Sequence, residues 1–427
     1  MGLSSTFRAV RPRFSLPFLA AWPVLVLAHV GVFLENQTLS VWFYPLVWWP
    51  YIAILDGAGV RRGEPSIFAR SGRLLGLILA SWAFWLLFEA INLRIANWYY
   101  VGVPENRLLR WGGISLSFAT VIPLLEVTTR AVSACRWIGP CRLPTLAVTP
   151  ARLAGTQTVG WLFLVLPLAF PRYAFALVWG FLALLLEPSN YRAGRPSLLA
   201  DLARGDGRRI VCLLTAGLIA GLLWETWNRI ALGKWIYTVP WLTESALFEM
   251  PPLGFFGFPA LAIEAFVFLV WVDALWERLR VPARIGLVVA TLLAGAAVMG
   301  AIDRYTVDAA APTLAGVRVL NQAEQAGLGT AGLHQVRPLA DLSDAGVESL
   351  AAAAGVAPGR LSDARDWARL ARHRGMGNEN TALLWGIGIR RVDQLAGLSE
   401  DALAGRLGKA APARQKLAIW IRAAGRD

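Results

Sequence analysis

The sequence is poor in charge, in cysteine and in histidine. Only 16% of its residues are Asp, Glu, Lys or Arg, against 56% hydrophobic, whereas soluble domains carry about a quarter charged residues. The polar shell of a water-soluble protein is therefore missing over most of the chain. Three cysteines are too few for a disulfide framework: Cys135 and Cys141 fall in a basic loop and Cys212 in an apolar run, so reduced thiols are expected. The three histidines, His29, His334 and His373, are far apart in sequence, and no metal site is expected without ligand spacing. No strand–Gly-x-Gly-x-x-Gly–helix unit is present, which argues against a dinucleotide; nothing calls for a flavin or nucleotide, and no cofactor is expected. Arg8, Arg11 and Arg13 resemble the charged flank of a signal peptide. The apolar run behind them is long and has no clear small-residue cleavage site, so it reads as a retained first helix.

What the chain has in abundance is apolar length. Runs able to span a bilayer fall at about 15–34, 40–56, 73–91, 113–130, 153–171, 173–187, 209–228, 252–271 and 285–302. Several of the 20 tryptophans lie near the ends of these runs, as in an interfacial aromatic belt. The formal charge of +13 comes largely from arginines before residue 15 and at 57–72, 130–152, 192–209 and 278–284. The positive-inside rule puts those segments, and the N-terminus, in the cytoplasm of a bacterial-type inner membrane. Nine crossings then put the C-terminal region outside. The fold class expected is all-α and polytopic.

The chain also repeats itself. Leu86-Leu-Phe-Glu89-Ala-Ile-Asn92 returns as Leu222-Leu-Trp-Glu225-Thr-Trp-Asn228, and Pro104 and Pro123 return as Pro240 and Pro259, all displaced by 136 residues. The loop from Asp56 to Ser66 has its echo from Glu187 to Ser197, at an offset of 131. Each copy then holds four helices, and an even number gives both the same orientation. The boundaries that follow are 1–136 and 137–280 for the repeats, 281–309 for a ninth helix and linker, and 310–427 for a small soluble domain.

Ionisable side chains inside a membrane are costly and usually functional. Glu89 with Asn92, and Glu225 with Asn228, each place a carboxyl and an amide on one helix face. They are candidates to bind a ligand, together with the aromatic residues Trp98, Tyr99, Trp235 and Tyr237 that follow them. The competing reading makes the polar pairs interhelical glue and the aromatics a belt. Glu126 and Glu264 lie deeper, after Pro123 and Pro259, and are the candidates for acid–base chemistry. Asp303 and Arg304 read as a local pair at the membrane exit.

This order, acid–(x2)–Asn, a Trp-x-Tyr-like turn, then Pro-x-x-Glu within a helix, resembles the integral-membrane carotenoid (lycopene) cyclases, the type without a dinucleotide-binding fold. The resemblance covers about 40–135 and 176–272. It implies two homologous halves, an isoprenoid substrate and proton-initiated ring closure. Glu126 matches the second acid of that family's motif and Leu125 stands where the first would be. In the second copy Leu261 and Ala262 occupy both positions, with Glu264 displaced by two. A proton-linked transporter and a membrane scaffold presenting the C-terminal domain are the alternatives; parallel repeats with buried carboxyls also suit coupled transport.

After residue 310 the composition turns to Ala, Gly, Leu, Asp and Arg, and Leu339-Ala-Asp-Leu-Ser343-Asp resembles Leu395-Ala-Gly-Leu-Ser399-Glu. The Gly-x-Gly turns, Gly375-Met-Gly377 and Gly386-Ile-Gly388, make this region similar to tandem helix-hairpin-helix modules. That resemblance implies backbone amides offered to phosphate, with Arg372, Arg374, Arg390 and Arg391 close by. Mixed acidic and basic residues and an exoplasmic position argue instead for packing or a protein partner, and against nucleic acid.

Overall fold

The computed structural model describes residues 15–239 and 250–425; Arg8, Arg11, Arg13 and Pro240 lie outside the described residues. Helices form over the apolar runs: α1 (Leu16–Phe33), α2 (Phe43–Arg61), α3 (Ser71–Ile95), α4 (Arg107–Phe118), α5 (Val121–Ser133), α6 (Pro150–Ala169), α7 (Phe181–Arg192), α8 (Arg208–Ile230), α9 (Gly257–Arg278) and α10 (Val281–Tyr305). Among the described residues, seven helical segments are long and apolar enough to cross a membrane. The expected spans at 40–56 and 153–171 are helical but are not among the seven. Tyr44, Tyr51 and Asp56 dilute the first, and Arg152, Thr156, Gln157 and Thr158 dilute the second. Outward faces are apolar, with Leu27 on α1, Trp161 on α6 and Leu293 on α10 all exposed, as a lipid-facing surface requires.

Two of the spans are broken, and proline accounts for one break directly. A proline ring collides with the carbonyl four residues back; for Pro123 that is Ala119, which with Thr120 separates α4 from α5. Ser81 repairs the gap: its hydroxyl donates to the Phe118 carbonyl at 2.6 Å and accepts from the Ile122 amide at 3.0 Å. The other break precedes α7, where a 3₁₀ turn at Phe175–Trp179 ends at Gly180.

The described chain is mostly helical, as the all-α expectation has it, and adds one small three-stranded sheet. β1 (Trp98–Val103) is central, with β2 (Lys234–Tyr237) antiparallel on one side and β3 (Val307–Ala310) parallel on the other. The strands follow α3, α8 and α10, so those three helices end on the same side of the bundle. The opposite end carries the arginines: Arg130 binds Glu64 at 2.8 Å and Asp56 at 3.4 Å, and Arg73 binds Asp273 at 2.8 Å. Asp303 does not pair with Arg304. It holds Arg110 at 2.7 Å and the Trp111 indole at 2.9 Å, while Arg304 lies over the Tyr305 ring.

Beyond β3 the chain forms α11 (Gln322–Thr330), α12 (Asp344–Ala354), α13 (Pro358–Arg372), α14 (Gly377–Gly386), α15 (Glu400–Leu407) and α16 (Arg414–Ala424). They enclose two small cores, one around Leu339 and Trp367 and one around Leu395 and Trp420. The repeated Leu-x-x-Leu-Ser motif has the same job twice. Leu339 and Leu395 are fully buried, while Ser343 and Ser399 cap α12 and α15, each hydroxyl accepting from the amide three residues on at 3.1 Å. Ser343→Ala and Ser399→Ala should each cost about 1 kcal/mol, read as two similar downward shifts in thermal midpoint; an effect at only one site would break the equivalence.

This domain packs on the sheet. Tyr99, Val101 and Ile236 form one apolar cluster with Ile419 of α16. Lys416 pairs with Asp308 and lies over the Tyr99 ring, and Asn380 donates to Asp308 at 3.2 Å.

Candidate ligand-binding cavity

The two polar pairs sit where α3 and α8 hand over to β1 and β2, and the amides act on the backbone. Asn92 accepts from the Asn97 amide at 2.8 Å and donates to the Trp98 carbonyl at 2.9 Å. Asn228 accepts from the Trp235 amide at 3.1 Å and donates to the Trp235 carbonyl at 3.0 Å. A carboxamide carries both a donor and an acceptor, so each asparagine ties its helix to the strand that follows. Neither faces open space; both are fully buried.

The carboxyls act on aromatic side chains. One oxygen of Glu89 accepts from the Trp85 indole at 3.0 Å, the Trp98 indole at 3.0 Å and the Tyr100 phenol at 2.5 Å. Glu225 accepts from the Tyr237 phenol at 2.9 Å. Burial, and after it the charge and hydrogen bond of Glu89, hold the Tyr100 phenol well above its usual range. Burial and then Glu225 do the same for Tyr237. Both phenols therefore keep their protons and remain donors.

Strand alternation decides which aromatics matter. Neighbouring residues of a strand point to opposite faces, and the register opposes Trp98 to Tyr237, Tyr99 to Ile236 and Tyr100 to Trp235. Trp98, Tyr100, Trp235 and Tyr237 share one face and line a cavity of about 510 Å³. Tyr99, expected among the ligand contacts, is on the other face against the C-terminal domain. The residue that takes its place is Tyr100, and the echo in the sequence is Trp98-x-Tyr100 with Trp235-x-Tyr237. An alternating reading of residues 98–103 would have found it.

The cavity lies among the helices beside the sheet. Its walls include Tyr44 of α2, Trp85 of α3, Phe118 of α4, Trp179 before α7, Trp224 of α8 and Phe258 of α9. Its volume falls within the range of about 300–1,000 Å³ common for small-molecule sites. Glu89, Asn92, Glu225 and Asn228 do not line it; they stand behind the aromatic wall and hold it in place.

Glu126 and Glu264 also lie away from the cavity. Glu264 is fully buried and accepts from the Leu182 amide at 2.9 Å. It thereby satisfies one of the free amides at the start of α7, where no side chain of that helix provides a cap. Its carboxyl mends a broken span. Glu126 is half-buried one helical turn before Arg130, and its strongest charged neighbours are Arg73 and Arg130. It belongs to the arginine-bearing end, remote from the sheet.

The glycines expected to hold phosphate divide into two sets. A Cβ on Gly375 would sit 2.5 Å from Val101, and one on Gly377 would sit 2.6 Å from the Ala309 Cβ; β1 and β3 occupy the space a phosphate would need. Gly386 and Gly388 are exposed. Arg391 pairs with Asp393 at 2.8 Å and Arg372 with Asp341 at 2.8 Å, which spends much of the local positive charge.

Fold and site together define a helical chain with seven candidate membrane spans among the described residues, an aromatic cavity among its helices and a small helical domain covering the sheet beside it. Residues 318–424 match a family described as a domain of unknown function, DUF4332. No curated protein and no solved structure matches the chain.

Proposed function

We propose that this is an integral membrane protein of two parallel four-helix repeats and a ninth crossing, α10, whose repeats enclose a binding site for a lipophilic small molecule. The observation that carries the reading is the 510 Å³ cavity walled by aromatic side chains from both halves. Matched hydrogen bonds support the duplication. Ser66 donates to Asp56 at 2.5 Å and Ser197 to Glu187 at 2.5 Å. Thr128 binds the Tyr51 hydroxyl at 2.9 Å, and Glu264 binds the Leu182 amide at the corresponding positions of the second copy. The arginine-bearing end would face the cytoplasm of a bacterial inner membrane, and the sheet with its domain the outside.

The apolar walls suit an isoprenoid chain or ring, in keeping with the cyclase-like order of motifs. Binding is favoured over turnover, because Glu126 and Glu264 are placed away from the cavity. The packed Gly375-x-Gly377 turn favours a structural role for the C-terminal domain over phosphate binding.

Photolabelling tests this directly. The full chain in lipid nanodiscs, exposed to a diazirine-bearing alkyl probe, should be labelled within 98–118 and 250–261, and Ala260→Phe should suppress that labelling. Labels confined to the outward faces of α1, α6 and α10 would defeat the proposal.

A further inference from the structure

We infer that the ligand of this cavity is a lipophilic cation, seated with its positive centre against the corner formed by Tyr44, Trp235 and Tyr237. The inference rests on the reading of the cavity as a lipophilic site and adds the charge of its occupant. Tyr44 and Trp235 meet at 83° with centroids 5.1 Å apart, and Trp235 and Tyr237 at 81° with centroids 6.4 Å apart. All three line the cavity. Rings meeting near right angles make a box corner, and such cages bind quaternary ammonium groups through the negative faces of the rings.

The groups behind the wall are both carboxyls. Glu225 is fully buried and holds the Tyr237 phenol at 2.9 Å. Glu89 is fully buried and holds Trp85, Trp98 and Tyr100. The three donors converge on one Glu89 oxygen, and the acceptor oxygens of both carboxyls stand behind the rings, where a low-dielectric wall carries their negative partial charge toward the cavity. The cations of the lining are engaged elsewhere. Arg110 is held by Asp303 at 2.7 Å and by the Pro104 and Glu105 carbonyls at 2.8 Å. Lys234 donates to the Arg229 carbonyl at 3.3 Å.

The test uses the full chain in zwitterionic nanodiscs, with empty nanodiscs as the partition control. Binding of decyltrimethylammonium, read by tryptophan fluorescence, is compared with its neutral analogue ending in a tert-butyl group. The cation should bind at least about tenfold more tightly, and Glu225→Gln should remove most of that preference. Tyr44→Leu, which deletes one wall and keeps both carboxyls in the chain, should weaken the cation more than the neutral analogue and serves if Glu225→Gln does not fold. Equal affinity for both probes in the wild-type chain overturns the cationic assignment and leaves the lipophilic site standing. Binding of neither probe overturns the site itself.

Discussion

Gly375→Val releases the C-terminal domain from the sheet while leaving the helical bundle folded. Gly375 has φ +69°, in the left-handed region that costs other residues about 1–2 kcal/mol, and its Cβ would lie 2.5 Å from Val101. Strain and collision add, and neither relaxes unless β1 or the turn moves. Gly388→Val is the control: its φ of +82° carries similar strain, yet no atom lies within reach of its Cβ. Hydrogen exchange should therefore rise at β1 and β3 in the first variant and stay at the wild-type level in the second. Equal protection in both would mean that the Gly375 turn does not anchor the domain.

The second large effect comes from Glu89→Leu. The substitution leaves the Trp85 and Trp98 indoles and the Tyr100 phenol without their shared acceptor. A buried donor left unmade costs about 1–3 kcal/mol. Removing the cost of burying a carboxyl offsets part of the sum, and a net loss of about 3 kcal/mol is expected. Glu89→Gln keeps an acceptor oxygen and should lose about half as much. Thermal unfolding of the purified chain reads both, and a leucine variant as stable as the wild type would show that the carboxyl does not organise the wall. The same variant should loosen binding of the proposed lipophile, because Trp98 and Tyr100 line the cavity.

The sequence was most informative where one local pattern had one physical meaning. Apolar runs became helices, and the residues of the 136-residue register, Glu89 with Glu225 and Asn92 with Asn228, make corresponding hydrogen bonds. It was least informative where a contact joins distant segments. Six residues from Trp98 to Val103 look like a loop until Lys234–Tyr237 and Val307–Ala310 come beside them, and the adjacent pair Trp98-Tyr99 then proves to straddle two faces. Glu264 reads as a buried acid of high cost; only the break before Phe181 explains why a carboxyl is needed there. Gly375 and Gly377 suit either a phosphate or a close backbone approach, and the choice depends on Val101 and Ala309, which lie far away in sequence.

The proposed occupant of the aromatic cavity is a lipophilic molecule. This is tested most directly by mass spectrometry of the organic extract of the chain purified from its own membrane, compared with Ala260→Phe prepared in parallel. A lipophile is expected in near-equimolar amount with the wild-type chain and depleted in the variant, with bulk lipids unchanged. Identical extracts from two equally folded proteins would contradict it.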